Sequence, residues 1–410
     1  MGQCERNSRN LSGRFTLVVL FSGFLTACQI ADAQRGFVTF SRRTVDDTFP
    51  GGYGVEIADI DGDDVNDIVA LSTDPGNFVW YKNPGWQRYT ITTQADRLIA
   101  TAPHDIDQDG DVDLVLASEF ALNNTSDGGL VQWFENPGNP TMNQEWQSHL
   151  IDEIPASHRV RWGDINGDGN MELLILPIIG KGATGPLFDV GAEFTAYTIP
   201  PFPTREPWPG VVLDDSLQMA HGLMLVDWNG DARRDILTAS FQGVQLLQLG
   251  IGGQMVSRRR IGAGYAGQRP ESGSSEADLG ELATGERFVA AIEPWHGHEV
   301  VVYTAGTDPS DTWQRQAIDD TFAGGHALLV ADLDNDGADE IIAGHRSEPY
   351  GLFIYRFDAR EEEWRRIDLD AGGIGLAGLA IDDLNGDGFA DIVGVGTGTG
   401  NVVYYENSGR

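Results

Sequence analysis

The chain has 410 residues, 52 of them glycine, and a formal net charge of −35. Such acidity excludes nucleic acid as a partner, because a polyanion is held by basic side chains. Two cysteines exclude a disulfide-stapled scaffold, and a 41% hydrophobic content is enough for one large core.

From the N-terminus, residues 1–33 read as a targeting segment and not as part of the fold. Arg6, Arg9 and Arg14 precede an apolar run from Phe15 to Ala27, which is too short to span a bilayer. The run ends in Leu25-Thr26-Ala27-Cys28, which resembles a bacterial lipobox whose cysteine is lipidated after cleavage. Ordinary secretion after Ala31-Asp32-Ala33 is the alternative. Either route puts the protein in the cell envelope or outside the cell, touching a membrane only through a lipid anchor. The mature chain would keep Cys28 alone, and a lone thiol in an oxidising compartment suits an anchor better than a structural role.

Residues 36–410 carry a different pattern. A strand-like run, Phe37 to Val45, comes first. An acidic loop then recurs six times with oxygen side chains at positions 1, 3, 5 and 9. The first two copies use Asp59, Asp61, Asp63 and Asp67, then Asp105, Asp107, Asp109 and Asp113. The next two use Asp164, Asn166, Asp168 and Glu172, then Asp227, Asn229, Asp231 and Asp235. The last two use Asp332, Asp334, Asp336 and Glu340, then Asp383, Asn385, Asp387 and Asp391. This spacing lets a tight turn wrap its oxygens around one hard cation, and calcium (Ca2+) is the natural occupant, up to six per chain. An EF-hand would add a bidentate Glu at position 12 and flanking helices. Position 12 of the first copy is Ala70, and the flanks are Val/Ile/Leu-rich runs of strand length, so each loop joins two strands. The loops hold 24 of the 62 acidic residues, so chelation is expected to loosen the fold by like-charge repulsion.

Successive first aspartates lie 46, 59, 63, 105 and 51 residues apart. The double-length gap is expected to hide a seventh copy at Ala277-Asp278-Leu279. Gly280 and Leu282 replace ligands there, so that copy should hold no calcium. Each loop leads into an apolar strand, a turn, and an aromatic strand such as Val79-Trp80-Tyr81 or Val402-Val403-Tyr404-Tyr405. Outer strands are then headed by Trp86, Trp146, Trp313 and Trp364. Seven such units of four strands predict an all-β, seven-bladed β-propeller. The last unit ends one strand short, and the spare N-terminal strand is expected to complete it and close the ring.

Propeller geometry sorts the remaining residues. The acidic loops all fall on one face, while the starts of the inner strands fall on the other. Six residues before each first Asp stand Tyr53, Ile99, His158, His221, Ser272, His326 and Ala377. Three of these are His, in a chain with eight. The turns after the second strands add Lys181, Glu293, Trp295, His296 and His345 to the same mouth of the channel. Neutral His158, His221 and His326 suit a first shell for one Zn2+ or similar divalent metal with an open position. Tyr53, Lys181 and His296 are candidates to move protons, and Arg159, Glu293, Trp295 and His345 to orient a sugar. Plainer roles stand beside these. An inner-strand His can simply bond the neighbouring blade's backbone. Trp295 can plug the channel. The acidic loops are structural clips. The Pro-rich stretch Ile199 to Pro209 is either a lid over the mouth or a connector.

The acidic loops resemble the FG-GAP/VCBS repeats of integrin-type and secreted bacterial propellers. Three segments are further similar to the propeller domain of the aldos-2-ulose dehydratase family. They are His158-Arg159 with the Pro177 to Gly182 loop, His221-Gly222 with Asp227-Trp228-Asn229-Gly230-Asp231 and Ile236-Leu237-Thr238-Ala239-Ser240, and Ile292-Glu293-Pro294-Trp295-His296-Gly297. That resemblance implies elimination of water from an oxidised sugar, assisted by a divalent metal. It does not extend to the cupin-type domains of the fungal enzyme. β-Elimination needs a base for the α-proton, a cation to hold the enolate and an acid for the leaving hydroxyl. Two alternatives stay open: a non-catalytic envelope propeller that binds a glycan or a protein, and a polysaccharide lyase acting on a uronate polymer. Basic residues are sparse for the groove that a lyase needs.

Overall fold

The structure, a computed structural model, describes residues 37–142, 144–306 and 312–410. The targeting segment with Cys28 lies outside the described residues. Seven four-stranded antiparallel sheets surround a central channel, as the repeat spacing predicts. The innermost strands are Gly52–Ala58, Ala100–His104, Ser157–Gly163, Gly222–Val226, Glu276–Glu281, Gly325–Ala331 and Leu376–Asp382. Second strands such as Asp67–Ser72 and Asp391–Gly396 are buried at every residue. Their apolar runs do not alternate because a neighbouring blade covers each face.

The core lies between blades and not within them. One cluster packs Val55, Ile68 and Val79 of the first blade against Val393, Val395 and Val402 of the last. Equivalent clusters fill each of the other interfaces around the ring. The outer-strand tryptophans join these clusters, Trp86 meeting Tyr404 edge-on at 5.4 Å and Trp364 meeting Phe288 at 5.0 Å. The ring is closed by Phe40–Asp46, which pairs antiparallel with Asn401–Asn407. This clasp covers a strand edge that would otherwise be open to pairing.

Two expectations need correction. Asp278 does not open a loop. It lies inside the inner strand Glu276–Glu281, and the turn follows at Leu282–Glu286. Asp278 accepts the backbone N–H groups of Val330 and Leu279, and burial pushes its carboxyl up to about 7. With ligands missing, alignment to the acidic loop slipped, so the channel positions of this blade are Ser275 and Glu276 and not Ser272. The Ile199–Pro209 stretch joins the third and outer strands of blade three, Ala192–Thr198 and Gly210–Leu217. That hairpin end lies on the acidic-loop face, so the stretch is no lid over the mouth. Trp208 anchors it, buried 6.2 Å from Trp162.

Candidate functional site at the channel mouth

The mouth residues are aimed by backbone irregularities. The ladder skips Tyr53 between Gly52 and Gly54, His158 between Ser157 and Arg159, and His326 between Gly325 and Ala327. Each skipped residue is a β-bulge, which re-aims one side chain without breaking the strand. His221 stands just before its inner strand, its N–H bonded to Ala239 O. His296 comes from the turn after the second strand of blade five, at φ +49°.

These side chains form one connected cluster. His326 Nδ1 lies 2.7 Å from Ala377 O, and His221 Nδ1 lies 3.2 Å from Ser275 O, each a carbonyl of the next blade. The plainer role predicted for an inner-strand His is therefore met in both. It leaves both Nε2 atoms pointing elsewhere. His326 Nε2 is 3.1 Å from Tyr53 Oη, which is 3.1 Å from His158 Nε2. His221 Nε2 is 3.0 Å from His296 Nε2, and Arg346 donates to His296 Nδ1 at 3.0 Å. Protons assigned from this network give one consistent set of neutral rings. His221 and His326 carry theirs on Nδ1, and His296 and His158 on Nε2. His158 Nδ1 then remains a buried nitrogen without a partner.

Electrostatics agree with neutral imidazoles. Burial pulls His158, His296 and His326 well below the usual histidine range, helped by Arg159, Arg346 and the neighbouring rings. His221 is lowered less, since burial is opposed by Glu276, whose Oε1 lies 2.7 Å from His221 Nδ1. Burial alone would raise Glu276, but Arg159 at 2.5 Å and His221 outweigh it and hold the carboxyl down. Burial raises the Tyr53 hydroxyl.

The donor set fits a divalent metal through the Nε2 lone pairs of His221 and His326, with His296 joining once its proton moves to Nδ1 and the bond from Arg346 is given up. One nitrogen from each of His221, His296 and His326 lies within 4.8 Å of the other two. Neutral imidazole is a preferred ligand for zinc-type ions, and a second nitrogen fixed on a carbonyl or carboxylate is the usual support of a ligating ring. Below the cluster the channel holds a cavity of about 80 Å3, lined by Tyr53, Glu56, Arg159, Arg161, Glu276 and His326. Ligand pockets run to roughly 300–1,000 Å3, so this space suits a few waters and not a sugar ring.

The predicted residues do not all meet. Tyr53, His158, Arg159, His221, His296 and His326 come together, and His296 takes the ligand place that spacing gave to His158. Trp295 stacks on His296 at 4.3 Å and belongs to an apolar cap with Phe120, Phe188 and Phe241. Lys181 is exposed in its loop. Glu293 faces into blade five, bonded to Ser274, Tyr303 and Arg315. His345 packs its ring on Phe322 and Phe353 with Nδ1 on Ser347 O. Neither Glu293 nor His345 is placed to touch a ligand at the mouth. Glu276 was missed because its blade carries no acidic loop to count from.

The acidic loops sit on the opposite face. In all six the first Asp accepts backbone N–H from its own turn, Asp59 from Gly62, Asp63 and Asp64, Asp105 from Gly110, and Asp332 from Asp336 and Gly337. Asp164, Asp227 and Asp383 repeat that pattern. The position-9 carboxylate braces the blade, Asp67 accepting from Ile60 and Asn83, and Asp391 from Leu384 and Asn407. The oxygens of Asp59, Asp61 and Asp67, of Asp105, Asp107 and Asp113, and of Asp332, Asp334 and Asp336 come within 4.8 Å of one another, a spacing that one cation, metal ion or side chain, can bridge.

Residues 128–306 match the family profile of the aldos-2-ulose dehydratase β-propeller domain. That stretch holds His158, Arg159, His221, Glu276 and His296, while Tyr53, His326 and Arg346 lie outside it. No curated protein matches the chain in sequence. Among solved structures, BBS1N in complex with ARL6DN, soaked with mercury, is 12% identical over 91% of this chain and 97% of that one, with a TM-score of 0.54. An Agrocybe aegerita lectin, solved for its specific recognition of non-reducing terminal N-acetylglucosamine, is 15% identical over 79% and 81%, with a TM-score of 0.49. At such identities the likeness is one of fold. The chain is thus a seven-bladed β-propeller related, through its middle blades, to a sugar dehydratase domain family.

Proposed function

We propose that this propeller acts on an oxidised sugar at the channel mouth and eliminates water with the help of a divalent metal held by His221, His296 and His326. The observation that carries this reading is the convergence of three neutral imidazole nitrogens within the segment that matches the dehydratase profile or beside it. A metal there would supply positive charge to a carbonyl oxygen. The chain's own groups do the rest. Tyr53, bridging His158 and His326, is placed to pass a proton. Arg346 holds His296 through Nδ1, and Trp295 stacks on the same ring. Calcium in the acidic loops and export through the N-terminal leader, with Cys28 as a lipid anchor, complete the proposal.

The test is metal content and elimination activity, wild type beside His221→Ala/His326→Ala. About one zinc or manganese per chain, lost in the variant together with activity on keto-sugars, is the expected result. Equal metal content in both would overturn the site. One observation favours a second reading, a non-catalytic carbohydrate binder: the cluster satisfies most of its own hydrogen bonds over a cavity of only about 80 Å3. Glycan binding that survives the double substitution would support it.

A further inference from the structure

The six acidic loops look alike in sequence, but their surroundings differ. Ile68, Leu114, Ile341 and Ile392 each follow ligand position 9 and pair with Tyr81, Phe134, Tyr355 and Tyr405 on the third strand. The next residue on that strand overhangs the loop. It is Lys82 in blade one, Glu135 in blade two, Arg356 in blade six and Glu406 in blade seven.

The two basic residues reach the same place. Lys82 Nζ contacts Asp61 and lies 2.6 Å from Asp63 Oδ2, which are ligand positions 3 and 5. The Arg356 guanidinium lies 3.1 Å from Asp334, 2.8 Å from Asp336 and 3.5 Å from Glu340, which are positions 3, 5 and 9. Arg410 adds a contact to Asp334 at 2.6 Å. Glu135 and Glu406 bring no positive charge; they bond to His149 and Arg43 outside their loops. In blade four Arg233 touches Asp231 alone.

We propose that the loops of blades one and six are closed by the protein's own cations, Lys82 and Arg356, and take no calcium. This rests on the calcium reading above only in its contrast with the other loops. An ammonium or guanidinium between two carboxylates relieves their repulsion and sits on one oxygen of each, the Oδ2 atoms here, and a divalent ion entering there must expel it. The acidic motif is therefore kept for its turn, while the cation comes from the next strand but one.

Hydrogen exchange of residues 59–67 and 332–340, with and without millimolar calcium, tests this in the full chain. In wild type both segments should exchange at the same rate in either buffer. Lys82→Gln should speed exchange of 59–67 at least tenfold without calcium, with protection regained on adding it and one more calcium per chain in native mass spectra. Lys82→Arg should behave as wild type, and Arg356→Gln/Arg410→Gln, which removes both cations, should repeat the effect at 332–340. Slower exchange of either loop on adding calcium to wild type would overturn the proposal. So would a calcium-free Lys82→Gln variant that exchanges like wild type. If no loop responds to calcium but Lys82→Gln still loosens its own, the calcium reading fails and the internal cation stands.

Discussion

On one face of the ring, an aspartate at the head of a loop accepts N–H groups of its own turn in blades one, two, three, four, six and seven. On the other face, the residue at or beside the start of the inner strand changes from Tyr53 to Ile99, His158, His221, Ser275, His326 and Ala377. Repetition on the first face reflects a mechanical demand that every blade shares, a tight turn carrying a cluster of charge. Broken repetition on the second face marks a place where the blades are no longer equivalent, which is what a site for one ligand on a sevenfold ring requires. The long loops sharpen the asymmetry. Residues 119–129, 178–191 and 263–275 crowd the mouth beside blades two to five, whereas blades six, seven and one close their turns briefly.

Acid should separate the faces most strongly. The four mouth histidines are held below the usual range in the folded state, so the unfolded chain binds more protons below about 6.5. Stability should be full above that pH and fall as pH drops, by about 2 kcal/mol per ring still neutral at pH 5. Urea unfolding at pH 7 and pH 5 measures it; no loss in the acid buffer would mean that the rings are not held neutral.

Glu276→Ala comes next. It leaves the Arg159 guanidinium buried without its carboxylate, and removing one partner of a buried pair costs roughly 3–5 kcal/mol. Glu281→Ala, an exposed change at the other end of the same strand, should cost under about 1 kcal/mol. Equal melting shifts for the two variants would erase the difference between the faces.

Calcium should act from the opposite face. At about a hundred times its Kd it should add about 2.7 kcal/mol per occupied loop, seen as a rise in Tm that chelation reverses. The same addition should leave the transition-metal content of the mouth unchanged.

The smallest effect is expected at Asp278→Asn. Asp278 keeps its proton up to about 7 when folded but releases it near 3.9 when unfolded, so its burial costs more stability as pH rises between those values. The amide should therefore stabilise the protein by about 2.5 kcal/mol more at pH 8 than at pH 5. A constant difference across that range would show that the carboxyl is not held protonated.

Much of the ring was legible because its information is periodic. Loop spacing set the blade count, and the missing last strand pointed to the run Phe37 to Val45 as the clasp, which the structure forms as Phe40–Asp46. At the mouth, counting back from each loop found Tyr53, His158, His221 and His326 because bulged strands keep nearly constant length. The same count failed in blade five, where no acidic loop anchored it, and so passed over Glu276. It also could not tell Glu293 and His345, which turn into their blades, from His296, which turns outward at positive φ.

The sequence by itself determined the repeating part of this protein: seven blades, two faces, and a ring sealed by its own N-terminal strand. The blades and faces are properties of residues within one blade's length of each other, and the seal follows from counting strands, one short at the end and one spare at the start. Tertiary structure alone decided which nitrogen atoms meet, because the bond between Tyr53 and His326 joins residues 273 apart. It also decided which acidic loops already contain a cation, since Lys82 and Arg356 act across a strand pairing that spacing does not encode. Ring closure brings distant blades to one axis, and only there do burial and mutual charge set what each side chain can do.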